Sequence, residues 1–177
     1  MTEYHVMVDR AMQHTARGSH DAERAACDGT SASTRLLRPA LVEGPIDVEQ
    51  LRREIGSDAA GAVVVFVGTT RRATGGAITD RLEYEAHRPL ALVCLARLQD
   101  QAVRQFSLVG CGVIHRLGLV EVGEESVAIG VASAHRKDAF AAVAWLMDQI
   151  KASVPIWKRD HLADGVARWV HGEERPA

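Results

Sequence analysis

Gly61-Ala-Val-Val-Val-Phe-Val-Gly68 is a continuous apolar run, rich in β-branched residues and bounded by glycines. Such a run predicts a strand buried on both faces, so the rest of the chain must supply layers that cover it. Helical patterns do so. Val48, Leu51 and Ile55 recur at helical spacing behind Asp47, which suits a helix N-cap, and Gly56 ends that helix. A longer helix is predicted over residues 89–106. Pro89 suits its first turn, and Leu95, Leu98, Ala102 and Phe106 form a stripe. Another is predicted over 136–153, with Phe140, Val143, Ala144, Met147 and Ile150 on its buried face and Pro155 limiting its extension.

Further strands are predicted at 81–86, where Leu82, Tyr84 and Ala86 alternate, and at 110–117, 125–133 and 168–170. The polar segment 69–79, with Gly75-Gly76 inside it, reads as a flexible loop. Two main helices interleaved with strands predict an α/β (α+β) sandwich built on a mixed or antiparallel sheet, not a helical bundle. Residues 1–38 hold few large apolar side chains after Met12 and read as a mobile extension, leaving 39–177 as the folded domain.

The formal net charge of −2 gives no global basic field for nucleic acid, so an anion site must be built locally. No apolar run reaches the ~20 residues that span a bilayer, and no secretory signal is visible. Cys27, Cys94 and Cys111 show no CxxC spacing, which suits a reducing cytosol. Cys94 and Cys111 fall in a helix and a strand as buried, inert thiols. His5, His14 and His20 form no metal signature.

Cationic side chains gather at element ends. Ser133-Ala134-His135-Arg136 stands where a strand enters a helix, whose first amide groups and dipole favour anions. A plain helix cap explains the same tetrapeptide. Lys151 follows Met147 by four residues, so it extends an apolar stripe and must snorkel, pair or change its pKa. An amine that is partly neutral can move protons or act as a nucleophile. Trp157-Lys158-Arg159-Asp160 follows the proline break; it reads either as a phosphate-binding turn or as an exposed charged one. Thr69, Thr70 and Arg71 leave the buried strand and can meet an anion through backbone N–H groups and a guanidinium, or be solvated on a loop.

Several strings occur in one order: Phe66-Val-Gly-Thr-Thr-Arg71, Leu82-Glu-Tyr-Glu85, Val113-Ile-His-Arg-Leu-Gly118, Ser133-Ala-His-Arg136 and Met147-Asp-Gln-Ile-Lys151. Val154-Pro-Ile-Trp-Lys-Arg159 and Arg168-Trp-Val170 follow. Over about residues 39–171 this resembles the large, catalytic subunit family of molybdopterin synthase. The resemblance implies an α/β hammerhead fold, a homodimer of large subunits, and a small ubiquitin-like partner at each end of a heterotetramer. It implies a cytoplasmic sulfurtransferase. The partner's C-terminal Gly-Gly thiocarboxylate would donate sulfur to cyclic pyranopterin monophosphate, giving the dithiolene of molybdopterin without a metal or redox cofactor.

By matching motif, Lys151 and Lys158 take acid–base or covalent roles. Arg71, His135 and Arg136 form the anion pocket, with Thr69 and Thr70 at its rim. Arg159 and Asp160 shape the wall, and Phe66 and Met147 stand nearby. The family's site lies near the dimer interface, so two copies can contribute. His87 replaces an aromatic residue frequent in the family, and Asp160 a more usual glutamate. A non-catalytic module of the same fold, holding a phosphate ligand or partner tail, and a lysine-dependent phosphohydrolase are the rival classes.

Overall fold

A computed structural model describes residues 34–74 and 77–170. The expected extension therefore lies mostly outside the described residues, as do Cys27 and the three N-terminal histidines. Among the described residues the order is β1 (Arg35–Leu36), β2 (Ala40–Val42), α1 (Val48–Ile55), β3 (Ala62–Thr69), β4 (Ala73–Thr74), β5 (Ala77–Ala86), α2 (Arg88–Phe106), β6 (Leu108–Arg116), β7 (Gly118–Glu121), β8 (Glu125–Ser133), α3 (Arg136–Ser153), β9 (Ile156–Leu162) and β10 (Ala167–Val170).

The first sheet runs β1-β6-β8-β3, with β2 also on β6. Its β1–β6 and β2–β6 pairs are parallel and its other pairs antiparallel, so the sheet is mixed. The second runs β10-β9-β5-β4, with β7 on β5, and its pairs are antiparallel. The α+β class expected from the sequence is the one observed.

The apolar run of β8 is continuous because the first sheet is covered on both faces there, whereas β3, expected to be buried on both faces, is the edge strand of that sheet and leaves Val63 41% and Phe66 36% exposed. Val127, Ile129 and Val131 of β8 join Leu95, Leu98, Leu146 and Ile150 of α2 and α3 in one core. Ala128, between them on the strand, packs with Leu51 and Ile55 of α1. Asp47 caps α1 as expected, its carboxylate accepting from the Gln50 N–H at 2.8 Å. Glycine lets α1 lie close: a Cβ at Gly110 would sit 2.2 Å from the Ile55 carbonyl oxygen.

Three further local expectations change. Segment 69–79 is not one loop, because β4 and β5 pair on either side of Gly75-Gly76. The buried arc of α3 is Ala139, Ala142, Val143, Leu146 and Ile150. Phe140 is 63% exposed and Ala144 exposed, while Met147 is half-buried; a helix apolar on several sides does not announce which side meets the core. The charged stretch after Pro155 is the strand β9, paired with β5 from Thr79↔Leu162 to Ala86↔Ile156. Cys111 is buried as expected; burial pushes its thiol up to about 12 and leaves it unreactive.

Candidate active site

Where β9 leaves the end of α3, the elements enclose a cavity of about 460 Å³, a size suited to a small-molecule ligand. Helix α3 contributes Met147, Ile150 and Lys151. The i, i+4 spacing puts Met147 and Lys151 on one side of the helix. Strand β9 contributes Ile156, Lys158 and Asp160, the residues of one face in a period of two. Opposite them in register, Leu82 pairs with Asp160 and Tyr84 with Lys158, and both β5 residues line the cavity. Phe66, Gly68 and Thr69 of β3 and Arg71 beyond it complete that part of the wall.

The wall is apolar in Leu82, Val127, Ile150, Ile156 and Val170 and polar in a few convergent groups. The Lys158 Nζ lies 3.7 Å from an Asp160 carboxylate oxygen. Asp160 is only 4% exposed, so this carboxylate has little water around it. Lys151 is solvent-exposed at the cavity margin, as is Arg71. Three cations thus surround one hollow in a chain of net charge −2. Among the described residues no group of three or more His, Cys, Asp or Glu side chains is placed to hold a metal.

The structure brings together Phe66, Thr69, Arg71, Met147, Lys151, Lys158 and Asp160 of the expected site. It places four others elsewhere. The Thr70 side chain is buried outside the cavity, and its backbone N–H donates to the Glu124 carbonyl at 3.0 Å. Arg159 alternates to the far face of β9, 3.6 Å from a Glu83 carboxylate oxygen and 5.5 Å from the Trp169 ring centre. His135 and Arg136 are exposed at the N-terminus of α3. Arg136 is fifteen residues before Lys151, a rise of ~22 Å along a helix, so these two groups do not reach the cavity of their own chain.

Three wall residues were not singled out from the sequence: Tyr84, His115 and Ser126. Burial lowers the His115 pKa to about 4, against a hydrogen bond to the Arg116 carbonyl that favours the charged ring. Burial likewise raises the Tyr84 pKa; a hydrogen bond with Ser126 opposes this and the Asp160 charge adds to it. The alternation of Leu82 with Tyr84, and of Val113 with His115, was the available signal, since each polar residue shares a strand face with a core residue.

Comparison with known proteins meets this geometry from the other side. The family described as MoaE protein matches residues 41–153. The molybdopterin synthase catalytic subunit of Thermoplasma volcanium is 40% identical over 129 residues, which cover 73% of this chain and 94% of that relative. The X-ray crystal structure of molybdopterin synthase from Staphylococcus aureus superposes with a TM-score of 0.70 at 38% identity, covering 74% of this chain and 95% of that one. A complex of subunits 1 and 2 of the molybdopterin-converting factor from Helicobacter pylori shares the fold, with a TM-score of 0.62 at 22% identity, covering 78% of this chain and 92% of that one.

Proposed function

This chain belongs to the MoaE protein family and has the catalytic-subunit role of molybdopterin synthase in molybdenum cofactor biosynthesis; we propose that its cavity is where sulfur from a partner's thiocarboxylate is transferred to a phosphorylated pterin. The observation that carries the proposal is the meeting of Lys151, Lys158 and Arg71 around one hollow. The volume suits a pterin phosphate and the cations suit its charge.

The substrate in this proposal is cyclic pyranopterin monophosphate. Forming each C–S bond displaces or shifts a phosphate oxygen, which needs positive charge or a proton as it leaves. Lys151 and Lys158 supply protons or a transient covalent link, and the Lys158–Asp160 pair at 3.7 Å holds one amine in place. Water then cleaves the acyl–sulfur bond and leaves a carboxylate on the donor tail. The thiocarboxylate is already activated, so the reaction as proposed needs no metal or redox cofactor.

The donor is a separate small ubiquitin-like subunit ending in Gly-Gly; the relatives' title of catalytic subunit fits an assembly with another chain. His135 and Arg136 are remote from their own cavity, so in the proposed homodimer each copy presents them to the other's substrate, within a heterotetramer. None of the described helices is long and apolar enough to cross a membrane. The two described cysteines are free, which suits the reducing cytoplasm proposed as the site of action.

Reconstitution tests the proposal. The chain, a thiocarboxylated small subunit and the cyclic pterin together should yield the dithiolene product, and omission of either protein should abolish it. Turnover without the small subunit would favour a phosphohydrolase. Binding without turnover would favour a non-catalytic module.

A further inference from the structure

β3 is bonded to β8 on one side only. Its eight residues, Ala62–Thr69, hold no charge and no proline, the devices that blunt an exposed strand edge. None of them is buried, although five are Val or Phe. Among the described residues no other backbone group bonds to the open edge.

Helix α3 presents a second uncovered strip beside that edge. It packs on both β8 and β3, and its Trp145 turns toward α2, with 5.9 Å between the Trp145 and Phe106 ring centres. Phe140, Ala144, Met147 and Lys151 recur at helical spacing and share a face. Met147 and Lys151 put that face on the side of Phe66 and the cavity. Phe140 and Ala144 are exposed, although their apolar pattern predicts burial.

Direction decides what can cover both surfaces. Ala62 pairs with Ser133, just before α3 begins, whereas Gly68 and Thr69 line the cavity with Ile150 and Lys151 near its end. β3 and α3 therefore run the same way over similar lengths, ~27 Å for eight strand residues and ~22 Å from Arg136 to Lys151. A second copy joined edge to edge by a two-fold axis normal to the sheet is antiparallel and reverses that displacement. Its Arg136 then comes to the end of the first copy that holds Thr69, Arg71 and Lys151. The same axis keeps the two α3 helices on one face of a continuous sheet, about two strand spacings or ~10 Å apart, a normal helix-packing distance. Facing residues must share a sheet face, so the axis falls on a residue, Val65 or Phe66 at the middle of β3.

We infer that a second copy of this chain docks antiparallel on the β3 edge and the Phe140 side of α3, extending the first sheet and completing each cavity with the other copy's Arg136. The completed cavity rests on the proposed sulfur-transfer reading; the docking itself does not.

Analytical ultracentrifugation of the full chain tests the docking. The wild type should sediment at twice the chain mass of 19.2 kDa. Val63→Lys and Phe140→Glu place charge at exposed positions, so both should keep their circular dichroism spectra and sediment at half the wild-type mass. Leu90→Glu, at a comparably exposed site on α2, should remain a dimer. Hydrogen exchange should find the outward β3 amides protected in the wild type and freed by Val63→Lys. A monomeric wild type, a dimer that survives either substitution, or β3 amides that exchange fast within the dimer would overturn the inference. These measurements use neither pterin nor thiocarboxylate, so their failure leaves the sulfur-transfer reading in place. Wild-type turnover by a monomeric Phe140→Glu chain in the reconstituted reaction would overturn the shared cavity.

Discussion

Lys151 in the last turn of α3 and Lys158 on β9 line one cavity, although the chain passes through Val154 and Pro155 between them. The helix delivers the first by its i, i+4 repeat from Met147, and the strand delivers the second by alternation with Ile156 and Asp160. Pro155 marks the change of period: it ends the helix, and its carbonyl accepts from the His87 N–H at 3.2 Å. Sheet register then sets Lys158 beside Tyr84.

Arg136 lies at the far end of the helix that carries Lys151, which makes a mixing experiment informative. Arg136→Ala and Lys151→Ala should each be nearly inactive alone. If a second copy supplies Arg136, a mixed dimer has one site with both losses and one intact site. Random exchange at equal amounts should then restore about a quarter of wild-type turnover, since half of the dimers have one of two sites working. No recovery after exchange would contradict the shared site.

The Asp160 carboxylate and the Lys158 amine are close enough for one to orient the other. Asp160→Ala should lower kcat about tenfold or more with a smaller change in KM, because a misplaced proton donor harms the transition state more than binding. Asp160→Glu should recover most of the activity. Equal losses in the two variants would show that the carboxylate's charge is not what matters at this position.

His115 should make the protein acid-sensitive. Its folded-state pKa is lowered from 6.5 to about 4 by burial, so the unfolded chain binds the proton first. The stabilisation is complete above pH 6.5, falls as pH drops from 6.5 towards 4, and is lost below that, a total on the order of 3 kcal/mol. Urea unfolding of wild type and His115→Gln across this range should show the difference between them shifting by that amount. Parallel pH profiles would sink the claim.

Gly110 lets α1 approach β6, since an added Cβ there would lie 2.2 Å from the Ile55 carbonyl oxygen. Gly110→Ala should cost about 1–3 kcal/mol in denaturant unfolding, as backbone must shift to relieve the overlap. Activity measured well below the melting temperature should persist, because Gly110 is not part of the cavity wall. An unchanged midpoint would mean that α1 moves freely.

The sequence disclosed the long, strongly periodic elements. β8 and α3 span 125–133 and 136–153, as their patterns indicate. β1, β4 and β7 are two to four residues long, too short for a period to register. β9 was hidden for another reason: Lys158 and Asp160 line the cavity while Arg159 and His161 pair with Glu83 on the opposite face. Charge on both faces removes the alternation by which a strand is recognised. Motif matching located the two lysines, but alternation sends Arg159 away from Lys158, and helix length sends Arg136 away from Lys151. Proximity in sequence did not distinguish these cases.

The most direct measurement is dithiolene formation by Lys151→Ala, reconstituted with the thiocarboxylated small subunit and the cyclic pterin. Lys151 is exposed, so the variant should keep its circular dichroism spectrum and melting temperature. Its product formation should fall by about a hundredfold or more, as expected for a group that moves a proton or forms a bond in the reaction. Turnover within a factor of two of wild type, by a variant that binds both partners normally, would contradict a role for the lysine pair in sulfur transfer.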